Sequence, residues 1–174
     1  MKRPPPSLQA RALGWLAQRE QSRVELRRKL LRVALMPAPG AANAPELEVD
    51  ADAAADQVEQ VLDRLQAQGL LSEQRFVESR VRLRAPALGT RRIQLELARH
   101  GLKLPAQPLQ QLRDSELERA SQLWRRKFGT AAPDARGHAR QARFLAARGF
   151  SGEVIRRVLP APVRLRDDAD ADEG

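Results

Sequence analysis

Apolar residues recur along this chain at spacings of three and four, and no stretch alternates with a period of two, which restricts the fold to α-helices. The pattern reads Leu8, Ala12, Trp15; Leu26, Leu30, Val33; Val58, Val61, Leu62, Leu65; and Leu117, Ala120, Trp124, Phe128. Prolines break it only at boundaries. Pro4 to Pro6, Pro37, Pro39, Pro45, Pro86, Pro105, Pro108, Pro133, Pro160 and Pro162 all lie between periodic segments or at their starts, where a missing N–H costs nothing.

Segment ends are marked as clearly. Gly69, Gly101, Gly129 and Gly149 each close a periodic segment, and three of them precede an apolar residue (Leu70, Leu102, Phe150), as in a left-handed C-terminal cap. Ser22 with Glu25 and Ser115 with Glu118 have capping-box spacing, in which hydroxyl and carboxylate satisfy two orphan backbone donors reciprocally. Ser72 and Ser151 read as N-caps, with Leu71 placed to reach Phe76 and Phe150 to reach Ile155 across the first turn. Helices are therefore expected near 7–19, 22–35, 56–68, 72–84, 90–100, 105–113, 115–128, 135–148 and 151–159.

These nine segments group as three sets of three. Leu26, Leu30 and Ala34 occupy the same offsets in the first set as Ile93, Leu97 and Gly101 in the second and Gln141, Leu145 and Gly149 in the third. Helices this short bury little alone, so each trio should pack as a small bundle leaning on its neighbour. The expected architecture is an elongated all-α array of three tandem three-helix repeats at 7–68, 72–113 and 115–159, with an acidic Pro/Ala-rich insert at 37–56 and a disordered acidic tail at 167–174. A single helical globule is the competing arrangement.

Charge narrows the function. The 174 residues carry 31 Lys plus Arg against 22 Asp plus Glu, a net +9. Ten of the acids sit in the insert and the tail, which leaves +19 on the remainder. Such a body attracts polyanions or an acidic protein surface. Only four of the basic residues are Lys, so 27 are Arg, the side chain suited to bidentate phosphate and carboxylate contacts.

Other functions find no support in the residues. The chain has no Cys, no phosphate loop, no dinucleotide fingerprint, no HExxH and no paired histidines at helical spacing. No catalytic, cofactor-binding or metal residue is assigned, and the chain is read as a non-enzyme without a cofactor. His100, beside Gly101 at a helix C-terminus, and His138, on the face of Ala142 and Leu145, read as structural. Apolar runs never exceed four residues, so a soluble, cytoplasmic protein with no membrane partner is expected, and a monomer is the expected state.

Arginine placement supplies the candidate surface. At about 100° per residue, a core direction through Leu26 and Leu30 sends Arg28 and Arg32 to the opposite face. The same construction on Ile93 and Leu97 turns Arg91 and Arg99 outward with Arg92 nearby, and on Ala142 and Leu145 it turns Arg136, Arg140 and Arg143 outward within a narrow sector. Each set's middle helix thus carries an arginine stripe suited to a phosphate backbone or an acidic filament groove. An ordinary solvated surface is the alternative reading. Trp15, Phe76, Trp124, Phe128, Phe144 and Phe150 fall on or beside core stripes, so any nucleic-acid contact should be backbone-directed and sequence-tolerant.

The residues also carry a family resemblance. The run Ala12 to Leu30, the segment Leu65 to Phe76, the stretch Arg84 to Leu102 with Gly89, Ile93, Glu96, Leu97 and Gly101, and the run Phe144 to Ser151 together resemble the RecX family, bacterial regulators of the RecA recombinase. The match runs in order over roughly residues 8 to 160. The resemblance implies tandem three-helix repeats that engage the groove of the RecA filament on single-stranded DNA. It also implies inhibition of ATP turnover, strand exchange and filament growth in recombination and the SOS response, with no cofactor. The segment 37–56 and the acidic tail depart from the family pattern. General, sequence-tolerant nucleic-acid binding is the alternative function.

Overall fold

A computed structural model describes residues 5–36 and 50–160. Among these residues there are nine α-helices and no strand: α1 (Leu8–Gln18), α2 (Arg23–Ala34), α3 (Ala51–Ala67), α4 (Glu73–Arg84), α5 (Thr90–Ala98), α6 (Ala106–Asp114), α7 (Glu116–Lys127), α8 (Ala135–Ala147) and α9 (Gly152–Val158). The protein is all-α, as the spacing requires. None of the described helices is long and apolar enough to cross a membrane. The acidic tail and residues 37–49 of the insert lie outside the described residues.

Local chemistry explains most of the boundaries. Gly69, Gly101, Gly129 and Gly149 all adopt positive φ, so every glycine read as a C-terminal cap occupies the left-handed region. Ser22, Ser72 and Ser151 accept the backbone N–H groups of Glu25, Arg75 and Val154. Three readings need correction.

The third helix begins at Ala51, five residues before the expected start. Asp50 caps it by accepting from the N–H groups of Asp52 and Ala53, and Asp52 sits in the first turn, where the helix dipole favours acid. Acidic residues assigned to an insert are in part a helix start.

Ser115 is not an N-cap. Its backbone is right-handed helical, so its hydroxyl points back and donates to the Gln111 carbonyl at 2.7 Å. With that geometry α6 and α7 abut, separated only by Ser115.

The Ser22 and Glu25 pair forms half of a capping box. The Glu25 carboxylate turns away from the Ser22 backbone and is held by Arg19 and, at 3.3 Å, by Lys29.

The chain divides into two compact units within α4: residues up to Ser79 with His100–Leu102, and Arg80–Arg99 with the residues from Lys103 onward. In the first unit α1, α2 and α3 pack mutually around Ala12, Leu26, Leu30, Val58, Leu62, Leu65 and Leu71. In the second, α7, α8 and α9 pack mutually and α6 joins α5 to α7. The core there is Ala120, Leu123, Leu145, Phe150, Ile155 and Leu159. The first core takes its residues from α1, α2 and α3 with Leu71 and the second from α7, α8 and α9 with Phe150 and Leu159, which is how short amphipathic helices bury enough apolar area to be stable.

Candidate functional site

Among the described residues the first unit holds nine basic and nine acidic side chains, whereas the second holds 18 basic and six acidic ones. The excess positive charge is therefore confined to one unit. Ion pairing follows the same division: Arg19, Arg23, Arg27, Lys29 and Arg75 all pair with acids inside the first unit.

Arg23 shows how the first unit neutralises itself. Its guanidinium meets Glu59 and, at 2.7 Å, Asp63, and it donates to Gln66 at 3.1 Å. Burial works against the Arg23 charge, but the bonds to Asp63 and Glu59 overcome it and raise its pKa. Glu59 is lowered by its hydrogen bond from Arg27, against a desolvation that burial imposes, with Arg23 assisting. A depression of about 620 Å³ beside this network is lined by Arg23, Asp63, Gln66, Ala67 and Glu73. Its two carboxylates outnumber its single guanidinium, so it has no positive excess.

The second unit builds a different surface, centred on α8. Gln141 and Leu145 face inward, while Arg136, Arg140 and Arg143 are exposed. Positions i, i+4 and i+7 fall within about 60° on a helix, and the three arginines accordingly line one open depression of about 400 Å³ with Pro133, Asp134 and Gly137. None of the three forms an ion pair among the described residues. The one carboxylate nearby, Asp134, accepts the Gly137 N–H at 2.6 Å as the helix cap.

Buried polar contacts fix α8 in this orientation. Trp124 Nε1 donates to Gln141 Oε1 at 2.9 Å, and Gln141 Nε2 donates to the Thr130 carbonyl at 3.1 Å. The buried amide is thereby satisfied at both ends. The Arg148 guanidinium stacks 3.7 Å from the Phe144 ring centroid, and Phe144 meets Phe128 edge-on at 5.1 Å.

At its C-terminus α8 meets the start of α5. The Gly89 N–H donates to the Arg148 carbonyl at 2.9 Å. A Cβ on Gly149 would lie 2.6 Å from Arg92 Cβ and 2.7 Å from Arg92 N, and a Cβ on Gly89 would collide with the Gly149 backbone. Two glycines thus permit a contact that brings Arg92 to the C-terminal end of α8. Arg91, Arg92 and Arg99 on α5 are all exposed.

Of the eight arginines singled out in the sequence, six share the second unit: Arg91, Arg92, Arg99, Arg136, Arg140 and Arg143. Arg28 and Arg32 are also exposed, but they belong to the first unit. Among the described residues no group of His, Asp and Glu side chains is arranged to hold a metal ion. All six aromatic rings are buried or half-buried.

Sequence reasoning missed the residues that hold this unit together. Glu116, only 6% exposed, accepts the Thr90 N–H at 2.6 Å. Arg119 donates to the carbonyls of Ala85, Leu88 and Leu112 at 2.8, 2.6 and 2.7 Å. Burial lowers the Arg119 pKa, and the Glu116 charge opposes that shift. Nothing in local spacing announces these contacts, since their partners lie up to 34 residues away. In the first unit His100, read from the sequence as structural, places its Nδ1 2.8 Å from Ser22 Oγ and meets Phe76 edge-on with its ring.

Comparison with known proteins agrees with the resemblance. A family model described as RecX, third three-helix domain, matches residues 114–159. A regulatory protein RecX of Leptothrix cholodnii is 48% identical over 159 residues, spanning 90% of both chains. That of Ralstonia nicotianae is 42% identical over 172 residues, spanning 98% of this chain and 97% of its own. Among solved structures, RecX from Lactobacillus salivarius superposes with a TM-score of 0.58 at 17% identity, covering 87% of this chain and 91% of that one. A second RecX crystal structure gives 0.57 at 20% identity, covering 87% and 72%. At those identities the structural likeness speaks to the fold.

Proposed function

Because this chain belongs to the RecX family of regulatory proteins, we propose that it binds the RecA recombinase filament on single-stranded DNA and inhibits its ATPase, strand exchange and growth during recombination and the SOS response. It does so in the cytoplasm, as a monomer, through non-covalent contact and without a cofactor. The working unit is the array of three helical repeats at 7–68, 72–113 and 115–159. Arg28, Arg32, Arg91, Arg92, Arg99, Arg136, Arg140 and Arg143 are its filament-facing residues.

The observation that carries this reading is the depression on α8, where Arg136, Arg140 and Arg143 converge and, among the described residues, no acid forms an ion pair with them. A surface of unpaired guanidiniums favours an anionic partner and speeds its capture. The three guanidiniums project from a helix whose buried face is locked, so binding orders side chains but no backbone.

A second reading, nucleic-acid binding that needs no recombinase, draws on the 18 basic and six acidic side chains of the same unit's described residues. One experiment separates the two. RecA ATPase on single-stranded DNA is measured while this protein is titrated at constant DNA. Filament regulation predicts inhibition at protein well below the number of DNA sites, whereas simple competition requires every site to be coated. Inhibition that follows DNA coverage alone would replace the first reading by the second.

A further inference from the structure

We propose that the α8 arginines Arg136, Arg140 and Arg143 form a clamp for the phosphodiester backbone of single-stranded nucleic acid, and that this chain's salt-dependent affinity for DNA comes from its second unit. The proposal rests on the function above only for the presence of DNA beside the chain.

The lining of the depression selects the ligand class. It consists of three arginines, one proline, one glycine and Asp134, and the Asp134 carboxylate is already occupied in capping α8. Protein-binding patches have an apolar or aromatic centre, and this depression has none. Nucleic-acid interfaces are more polar and much more positive. The three Cα positions span about 10 Å along the helix axis, enough for a clamp on successive phosphates rather than a single anion pocket.

Base stacking finds no platform on the same surface. Every aromatic ring is at least half-buried, and Phe144, nearest in sequence to the trio, is sandwiched between Phe128 and the Arg148 guanidinium. Without an exposed ring there is no platform for an unpaired base. The contact is therefore with the backbone and tolerates any sequence.

The first unit contributes no net attraction, since its basic and acidic residues are equal in number. Its Arg23 and Arg27 are held by Glu59. Counterion release, which sets the salt dependence of binding, thus belongs to the second unit.

The test is fluorescence anisotropy of a labelled oligothymidylate with the full-length protein across a salt series. Three phosphate contacts to a single strand, at about 0.7 each, make up roughly two units of the slope of log K against log salt. Changing Arg136, Arg140 and Arg143 together to Gln should remove those two units. The variant R11Q/R64Q/R75Q, which takes the same charge from the first unit, should keep the wild-type slope. A triple variant on α8 that retains that slope, equal losses in both variants, or no binding of oligothymidylate by the wild-type protein would each overturn the clamp. Should circular dichroism show the triple variant to be misfolded, R140Q and R143Q singly should each lower the slope by about 0.7. RecA ATPase measured on the same variants keeps the two proposals apart. A lowered slope in a protein whose wild-type form does not touch the ATPase supports the clamp and sinks the filament reading. Lost inhibition at an unchanged slope would instead assign the trio to a protein surface.

Discussion

The carboxylate of Glu116, on α7, accepts the backbone N–H of Thr90 at 2.6 Å and so caps α5 from 26 residues away. The local capping position is Gly89, which has no side chain to offer, because the approach of Gly149 leaves no room for one. A distant acid does the work that Ser or Asp normally does, and its charge suits the helix N-terminus. Replacing Glu116 by Ala should cost about 1–3 kcal/mol, the range for orphaning a buried donor. Glu116→Gln, which keeps an acceptor and loses the charge, should fall in between. Denaturant unfolding checks both, and a midpoint unmoved in Glu116→Ala would contradict the cap.

Gly149→Ala should be far more damaging than Gly69→Ala. Both glycines have positive φ, which costs an L-residue about 1–2 kcal/mol. Only at Gly149 would the new methyl also meet Arg92, 2.6 Å from its Cβ, whereas nothing lies within 4 Å of a Cβ on Gly69. Overpacking adds about 1–3 kcal/mol. Equal melting temperatures for the two variants would rule out the close approach of α8 to α5.

Ser22→Ala should destabilise the first unit by about 0.5–2 kcal/mol, toward the upper end. The hydroxyl is fully buried, accepts the Glu25 N–H at 3.1 Å, and is also bonded to His100 at 2.8 Å. Unchanged thermal stability would show that neither bond matters.

Acid should weaken the protein partly through Glu25. Burial opposes ionisation of this carboxyl, but the hydrogen bond and charge of Arg19, with Lys29, outweigh it and hold its pKa below the usual carboxylate range. A group whose pKa is lower folded than unfolded stabilises the protein above its unfolded pKa. That contribution is lost as pH falls through the folded pKa. Unfolding measured from pH 6 downward should therefore show a shallower acid decline in Glu25→Gln than in the wild type. Parallel curves would show that Glu25 does not contribute to acid lability.

Reversing Arg136, Arg140 and Arg143 to Glu should leave the fold intact and abolish inhibition of RecA. All three are exposed, so no carboxylate is buried and no cavity opens, while the local charge turns from attraction to repulsion. Near-native circular dichroism with full inhibitory activity would return these arginines to the role of an ordinary solvated surface.

The helices, their approximate ends, the four glycine caps and the outward turn of the arginines all follow from spacing within one or two turns of chain. That is why they are legible in the residues alone. Ser115 marks where such local reasoning stops: its spacing from Glu118 is that of a cap, yet its helical backbone aims the hydroxyl at Gln111 instead. The start of α3 was obscured for a related reason, since Asp50 and Asp52 look the same in a solvated acidic stretch and in a helix N-terminus. What tertiary structure alone decided is which charges remain available. Arg23 and Arg27 are neutralised by acids more than 30 residues away, Arg119 is drawn inside by three carbonyls, and Arg136, Arg140 and Arg143 form no ion pair among the described residues. Sequence sets how many arginines there are and which way each faces on its own helix, because helical geometry is local. Whether an acid from another helix reaches them depends on how the helices pack, and that is a long-range property.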